Sequence, residues 1–205
     1  MSDVILEILV EEESMRSFLV AWLDDYLPEE CAFEVYAHQG KADLLGKLEK
    51  RLKGYSNWLP ANHRIIVIVD RDNDDCVQLK SDLEKICEDT GLLSRRRADG
   101  LDWQVVTRIA VEELEAWYFG DWEAVSAAYE RVSANVTRKA RYRNPDAVRG
   151  GTWEAFERIM QKAGYFSEGL RKREVAEAIG NQIDPERSRS HSFRLLCEAI
   201  AEACT

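Results

Sequence analysis

The sequence predicts an α/β fold: a central, mostly parallel sheet of about four strands, followed by a helical C-terminal extension. Three observations predict it. Strand-like and helix-like segments alternate through the first two thirds of the chain, the pattern of a layered α/β domain. The run Ile65-Ile66-Val67-Ile68-Val69 is wholly apolar and β-branched, as a buried strand requires. After Glu112 the strand signals stop and only helical periodicity remains.

In order, a strand is expected at about 4–10, a helix at 14–26, a strand at 33–38, a helix at 41–53, a strand at 64–70, a helix at 75–89 and a strand at 103–110. Pro28, Gly54, Pro60-Ala61-Asn62 and Gly91 punctuate them. Helices are then expected at 112–118, 122–132, 152–163, 169–179 and 192–204. The basic stretch 138–151, with Asn144-Pro145 and Gly150-Gly151, reads as a loop or hinge. These elements suggest an α/β core over residues 1–120 and a helical extension over 121–205, packed on that core. Trp103 and Trp117 are expected to be packing residues.

The net charge of −10 is unevenly spread. Residues 1–93 hold ten basic and twenty acidic side chains, whereas residues 94–205 hold eighteen of each. Bound cations would cancel part of the acidic excess, so it does not exclude a phosphodiester substrate. No apolar run approaches the roughly 20 residues of a spanning helix, and the start Met1-Ser2-Asp3 lacks the basic flank of a signal peptide. Five cysteines, Cys31, Cys76, Cys87, Cys197 and Cys204, are odd in number and scattered. Neither a disulfide framework nor a zinc site is expected from them, and a reducing cytoplasm fits best.

Two strands end on acids. Residues 4–10 run into Glu11-Glu12-Glu13, and residues 64–69 run into Asp70-Arg71-Asp72. Hard cations such as Mg²⁺ take a few carboxylates plus waters. In an open parallel sheet, ligands sit outside the carboxyl ends of the strands, so Glu11, Asp70 and Asp72 are expected to converge. The alternative for each acid alone is a helix cap or a solvated side chain. An EF-hand reading of Asp70-x-Asp72-x-Asp74 fails, because Asp75 stands where its Gly belongs and Ser81 where its Glu belongs.

A Glu after the first strand and an Asp-x-Asp after a later one resemble the toprim domain of topoisomerases, primases and OLD-type (overcoming lysogenization defect) nucleases. The ordered set Leu9-Val10-Glu11-Glu12-x-Ser14, His38-Gln39-Gly40-Lys41, Val69-Asp70-x-Asp72-x-Asp74-Asp75-Cys76, Arg108-Ile109-Ala110, Glu113-Leu114-Glu115-Ala116-Trp117 and Ser190-x-Ser192-Phe193 spans nearly the whole chain. As a set it looks like a family of stand-alone toprim-like proteins. The resemblance implies a Rossmannoid core, and it implies Mg²⁺ or Mn²⁺ held by Glu11, Asp70 and Asp72. Glu115, and after it Glu113 or Asp74, would serve a second ion. Two departures stand out: Glu12 replaces the usual Gly, and Met15 stands where an OLD-type metal acid is expected.

The run Arg171-Lys172-Arg173 resembles the lysine helix of OLD-type nucleases, which makes Lys172 a candidate catalytic cation beside Glu11. His38 and Lys41 stand at another strand end, where a Gly-Lys turn can offer amides and a cation to phosphate. The alternative there is a tight turn with a solvated lysine. The cluster Arg138, Lys139, Arg141, Arg143 and the run Arg95-Arg96-Arg97 are candidate phosphate-backbone contacts. No Walker motif exists, because the residue five before Gly40 is Val35, so an ATPase would be a separate partner.

The expected function is divalent-metal-dependent hydrolysis of nucleic-acid phosphodiesters, DNA or RNA, and the resemblance extends it to phage defence. The alternatives are a non-catalytic toprim-like subunit of a larger complex, and phosphoryl or nucleotidyl transfer on a small molecule. No membrane association is expected, and an oligomer is compatible with the sequence.

Overall fold

The computed structural model describes residues 4–100, 102–148 and 150–205; the start Met1-Ser2-Asp3 lies outside the described residues. Four strands, β1 (Val4–Val10), β2 (Cys31–Ala37), β3 (His63–Asp70) and β4 (Val105–Ala110), form one parallel sheet in the order β2-β1-β3-β4. Helix α1 (Glu13–Tyr26) links β1 to β2, α2 (Lys41–Ser56) links β2 to β3, and α3 (Cys76–Asp89) links β3 to β4. The chain steps one way from β1 to β2 and the other way from β2 to β3. The carboxyl ends of β1 and β3 therefore flank a topological switch point, where such sheets open a crevice.

Alternation along the strands assigns the two faces. Ile66 and Ile68 join Leu6, Ile8 and the α1 side chains Phe18 and Trp22 in the larger core, while Ile65, Val67 and Val69 meet α2 and α3 through Leu44, Leu48, Leu79 and Leu83. Each such fully buried side chain contributes about 1.5–3 kcal/mol, which is why a one-residue slip of β3 is prohibited.

The helices after β4 are α4 (Leu114–Gly120), α5 (Trp122–Ala128), α6 (Thr152–Lys162), α7 (Lys172–Gly180) and α8 (His191–Ala203). They bury Trp117, Phe156, Ile179 and Phe193 in the same larger core as α1. Trp103 and Trp117 are fully interior packing residues, as expected. At Gly180 a Cβ would lie 2.6 Å from Phe18 O, so the missing side chain lets α7 lie directly against α1. Lys172 approaches Glu12 at one end and Gly180 meets Phe18 at the other, so both helices start near the carboxyl edge of the sheet.

Several boundaries differ from expectation. The helix expected from residue 112 begins at Leu114, because Glu113 is still extended (φ −148°, ψ 174°). The helix expected over 122–132 stops at Ala128, where Tyr129 leaves helical geometry. The basic loop contains three single 3₁₀ turns, at 136–138, 140–142 and 145–147. One expectation is corrected: Cys31 at the start of β2 and Cys204 after α8 form a disulfide, leaving Cys76, Cys87 and Cys197 as thiols. The pair is 173 residues apart in sequence, so spacing gave no hint of it; only the tertiary packing brings the residue after α8 to the start of β2. Among the described residues no helix is long and apolar enough to cross a membrane.

Candidate functional site

All four strand ends contribute to one edge of the molecule. β1 delivers Glu11, which is buried, and its Oε1 accepts from the Asp70 backbone N at 2.8 Å. Burial pushes the Glu11 carboxyl up to about 7, against the opposing pull of that hydrogen bond and of Lys41. β3 ends at Asp70, whose Oδ1 is shut off from water and has no hydrogen-bond partner. Desolvation holds this carboxyl well above its usual range, and the neighbouring charges of Glu11, Glu115, Asp72 and Glu113 act in the same direction.

After β3 the chain turns sharply. Asp72 takes a left-handed backbone (φ +49°), pinned by its N–H donating to Glu112 O at 2.9 Å. Aspartate tolerates this region better than most residues, so the strain is modest. Lys41 Nζ reaches across from the start of α2 to donate to Asp72 Oδ2 at 2.7 Å, Asp74 Oδ2 at 2.9 Å and Arg71 O at 3.2 Å. Burial lowers the lysine's pKa, but the two carboxylates outweigh it and the net direction is up. Asp75 accepts from Val77 N and Gln78 N and so caps α3.

Beyond β4, Glu113 precedes the first turn of α4 and Glu115 lies within it, so both lie near Asp70. Glu115 is buried, and burial followed by the Glu113 charge raises it to about 7. Glu113 is raised by burial, Asp72 and Glu154. Lys172, at the start of α7, stands 3.8 Å from Glu12 Oε2 and 4.5 Å from the Trp153 ring centre. Its charge favours ionisation of Glu113 and Glu115. A cleft of about 900 Å³ opens here, lined by Asp72, Asp74, Glu112, Glu113, Gly151 and Glu154 among others.

The donor chemistry of this edge fits a hard divalent cation: several carboxylates, and one buried carboxylate oxygen with nothing to satisfy it. Among the described residues, however, no three His, Cys, Asp or Glu side chains are arranged to hold a single ion. Asp72 and Asp74 are turned onto Lys41 instead.

Other expected residues fall elsewhere. His38 Nδ1 stands 2.9 Å from Val10 O, so that nitrogen ties the β2–α2 turn to the end of β1. Lys139 and Arg141 line a separate cleft beside α6, while Arg143 donates to Arg138 O at 3.5 Å. Arg95 is paired with Glu202, and Arg97 stands 4.0 Å from Glu88. Met15, in place of an acid, is buried in the core.

Glu112, paired to Arg71 at 3.0 Å, and Glu154 were not foreseen as lining residues. Glu112 lay in the visible acidic run. Glu154 carried no signal beyond Gly150-Gly151: a Cβ at Gly151 (φ +84°) would collide with its carboxylate, so the glycine lets Glu154 fold back into the cleft.

A family described as "Domain of unknown function (DUF4276)" matches residues 10–201. No curated protein matches the chain. Among solved structures, the C-terminal region of the Burkholderia pseudomallei OLD protein is similar in fold, with a TM-score of 0.55, 15% sequence identity and 98% of each chain covered. That likeness includes the helices after β4 as well as the sheet.

Proposed function

We propose that this chain, which belongs to the DUF4276 family of domains of unknown function, is a toprim-like, divalent-cation-dependent hydrolase of nucleic-acid phosphodiester bonds. The observation that carries this reading is Asp70: a carboxylate at the switch point of the sheet, with a buried unpartnered oxygen, ringed by Glu11, Asp72, Glu113 and Glu115. Such a concentration of mutually repelling acids marks a functional site more often than a structural one. The fold likeness to the C-terminal region of an OLD protein agrees with it.

Glu11, Asp70 and Asp72 would hold Mg²⁺ or Mn²⁺, with Glu115, Glu113 and Asp74 available to a second ion. When bound, the cation supplies charge stabilisation at the phosphoryl oxygens and lowers the pKa of water. The chain's own residues do the rest. Glu11 is fixed by the Asp70 amide on Oε1, which leaves Oε2 available to the cation. Lys41, now on Asp72 and Asp74, and Lys172, now near Glu12, can each turn a cation toward a phosphate.

A second reading, a non-catalytic toprim-like subunit, is favoured by one feature: Lys41 already neutralises Asp72 and Asp74 without a metal. Purified protein given labelled single- and double-stranded DNA and RNA with Mn²⁺ tests the two. Cleavage lost in both Glu11→Gln and Asp70→Asn supports the hydrolase. Inactivity on all four substrates, or wild-type activity in both variants, overturns it.

A further inference from the structure

A second cleft, of about 480 Å³, lies beside the C-terminal half of α6 and draws Arg131, Lys139, Arg141, Arg158 and Lys162 together over an apolar floor that includes Ile159. No carboxylate lines it, and among the described residues none of the five cations is held in an ion pair. Arg131 instead lies over the Tyr165 ring and Arg141 over the Tyr142 ring, at 4.0 and 4.5 Å from the ring centres. In a chain of net charge −10, five cations around one cleft with no carboxylate in its lining offer an anion a site of matching charge.

Two features narrow the anion. The floor is apolar, so the occupant carries an uncharged surface as well as negative charge. The volume suits one nucleotide-sized unit and is within the range of small-ligand pockets, whereas a rigid duplex does not enter a concavity of this size. Helix α6 also joins the two clefts. Glu154 lines the acidic one, and Arg158 and Lys162 follow it by four and eight residues, about 6 and 12 Å along the helix.

We propose that this cleft binds single-stranded nucleic acid, with phosphate on its cations and sugar or base against the apolar floor, alongside the acidic cleft. The direction of the strand toward the acids rests on the hydrolase reading; the binding itself does not. Such a site holds substrate by phosphate charge and by apolar contact, the two means common to single-strand binding surfaces.

Fluorescence anisotropy of a labelled oligonucleotide, measured in chelator with the full chain, tests this apart from catalysis. Wild-type protein should bind the oligonucleotide in chelator, whether or not the hydrolase reading survives. Arg158→Glu with Lys162→Glu should weaken binding about tenfold or more and flatten the salt dependence by about 0.7 per lost phosphate contact. Both side chains are exposed, so circular dichroism should show an unchanged fold. Lys85→Glu, at an exposed lysine on α3, should change little. Equal loss from Lys85→Glu, or no loss from the double variant, overturns the site. Competition by duplex or by poly-glutamate as effective as that of unlabelled single strand overturns the assignment to single-stranded nucleic acid.

Discussion

Replacing Glu115 by glutamine should stabilise the metal-free protein, although it removes a residue assigned to the site. Glu115 is 5% exposed, and its carboxyl is raised from 4.5 to about 7, first by burial and then by Glu113. A shift of about 2.5 units at about 1.36 kcal/mol each amounts to at most about 3 kcal/mol by which ionisation of this one group destabilises the fold. The folded state holds the proton more tightly than the unfolded chain. The destabilisation is therefore absent below about pH 4.5, grows between about 4.5 and 7, and is constant above. Glutamine keeps the shape and carries no charge. Glu115→Gln should match wild type near pH 4 and exceed it at pH 8 by up to about 3 kcal/mol, or about 6–12 °C in Tm for a chain of this size. Saturating Mg²⁺ should narrow the gap, because it stabilises the carboxylate form more than the amide. Thermal melts across this pH range, in chelator and in Mg²⁺, read all three outcomes. A variant no more stable than wild type at pH 8 in chelator, or a difference that does not vary with pH, refutes the reasoning.

Lys41→Ala and Lys172→Ala should each lower any phosphodiester cleavage by about 10²-fold, the effect of losing one preorganised charge donor. They should differ in melts: Lys41→Ala frees Asp72 and Asp74 and so enlarges the stabilisation by Mg²⁺, whereas Lys172→Ala leaves it nearly unchanged; identical responses would contradict the geometry. Thiol titration of the unfolded, non-reduced protein should count three thiols, Cys76, Cys87 and Cys197, and rise to five after reduction. Cys31→Ser should cost about 2–5 kcal/mol under oxidising conditions and much less under reducing ones, read by urea unfolding.

The sheet was legible because its information is local. A β-branched run such as Ile65–Val69, flanked by helical periodicity, has few alternatives to a buried parallel strand, and in such a sheet the residues that follow the strands share one edge. Glu11, Asp70 and Asp72 could thus be named from order alone. Lys172 could be named from its resemblance to a known helix, although nothing local shows that α7 lies on α1; Gly180, which permits that close approach, is one glycine among eleven.

What the sequence determined by itself was the parallel α/β sheet, the acids at its strand ends and the helical remainder, since each follows from periodicities of two and 3.6 residues and from side-chain type. Only the tertiary structure decided which charges answer which. It gave Lys41 to Asp72 and Asp74, left Asp70 Oδ1 without a partner, folded Glu154 into the acidic cleft and joined Cys31 to Cys204. It also separated Lys139 and Arg141 from the acids and set them beside Arg158 and Lys162. Pairings of this kind depend on distances between residues tens to more than a hundred positions apart, and no local pattern in a single chain encodes those distances.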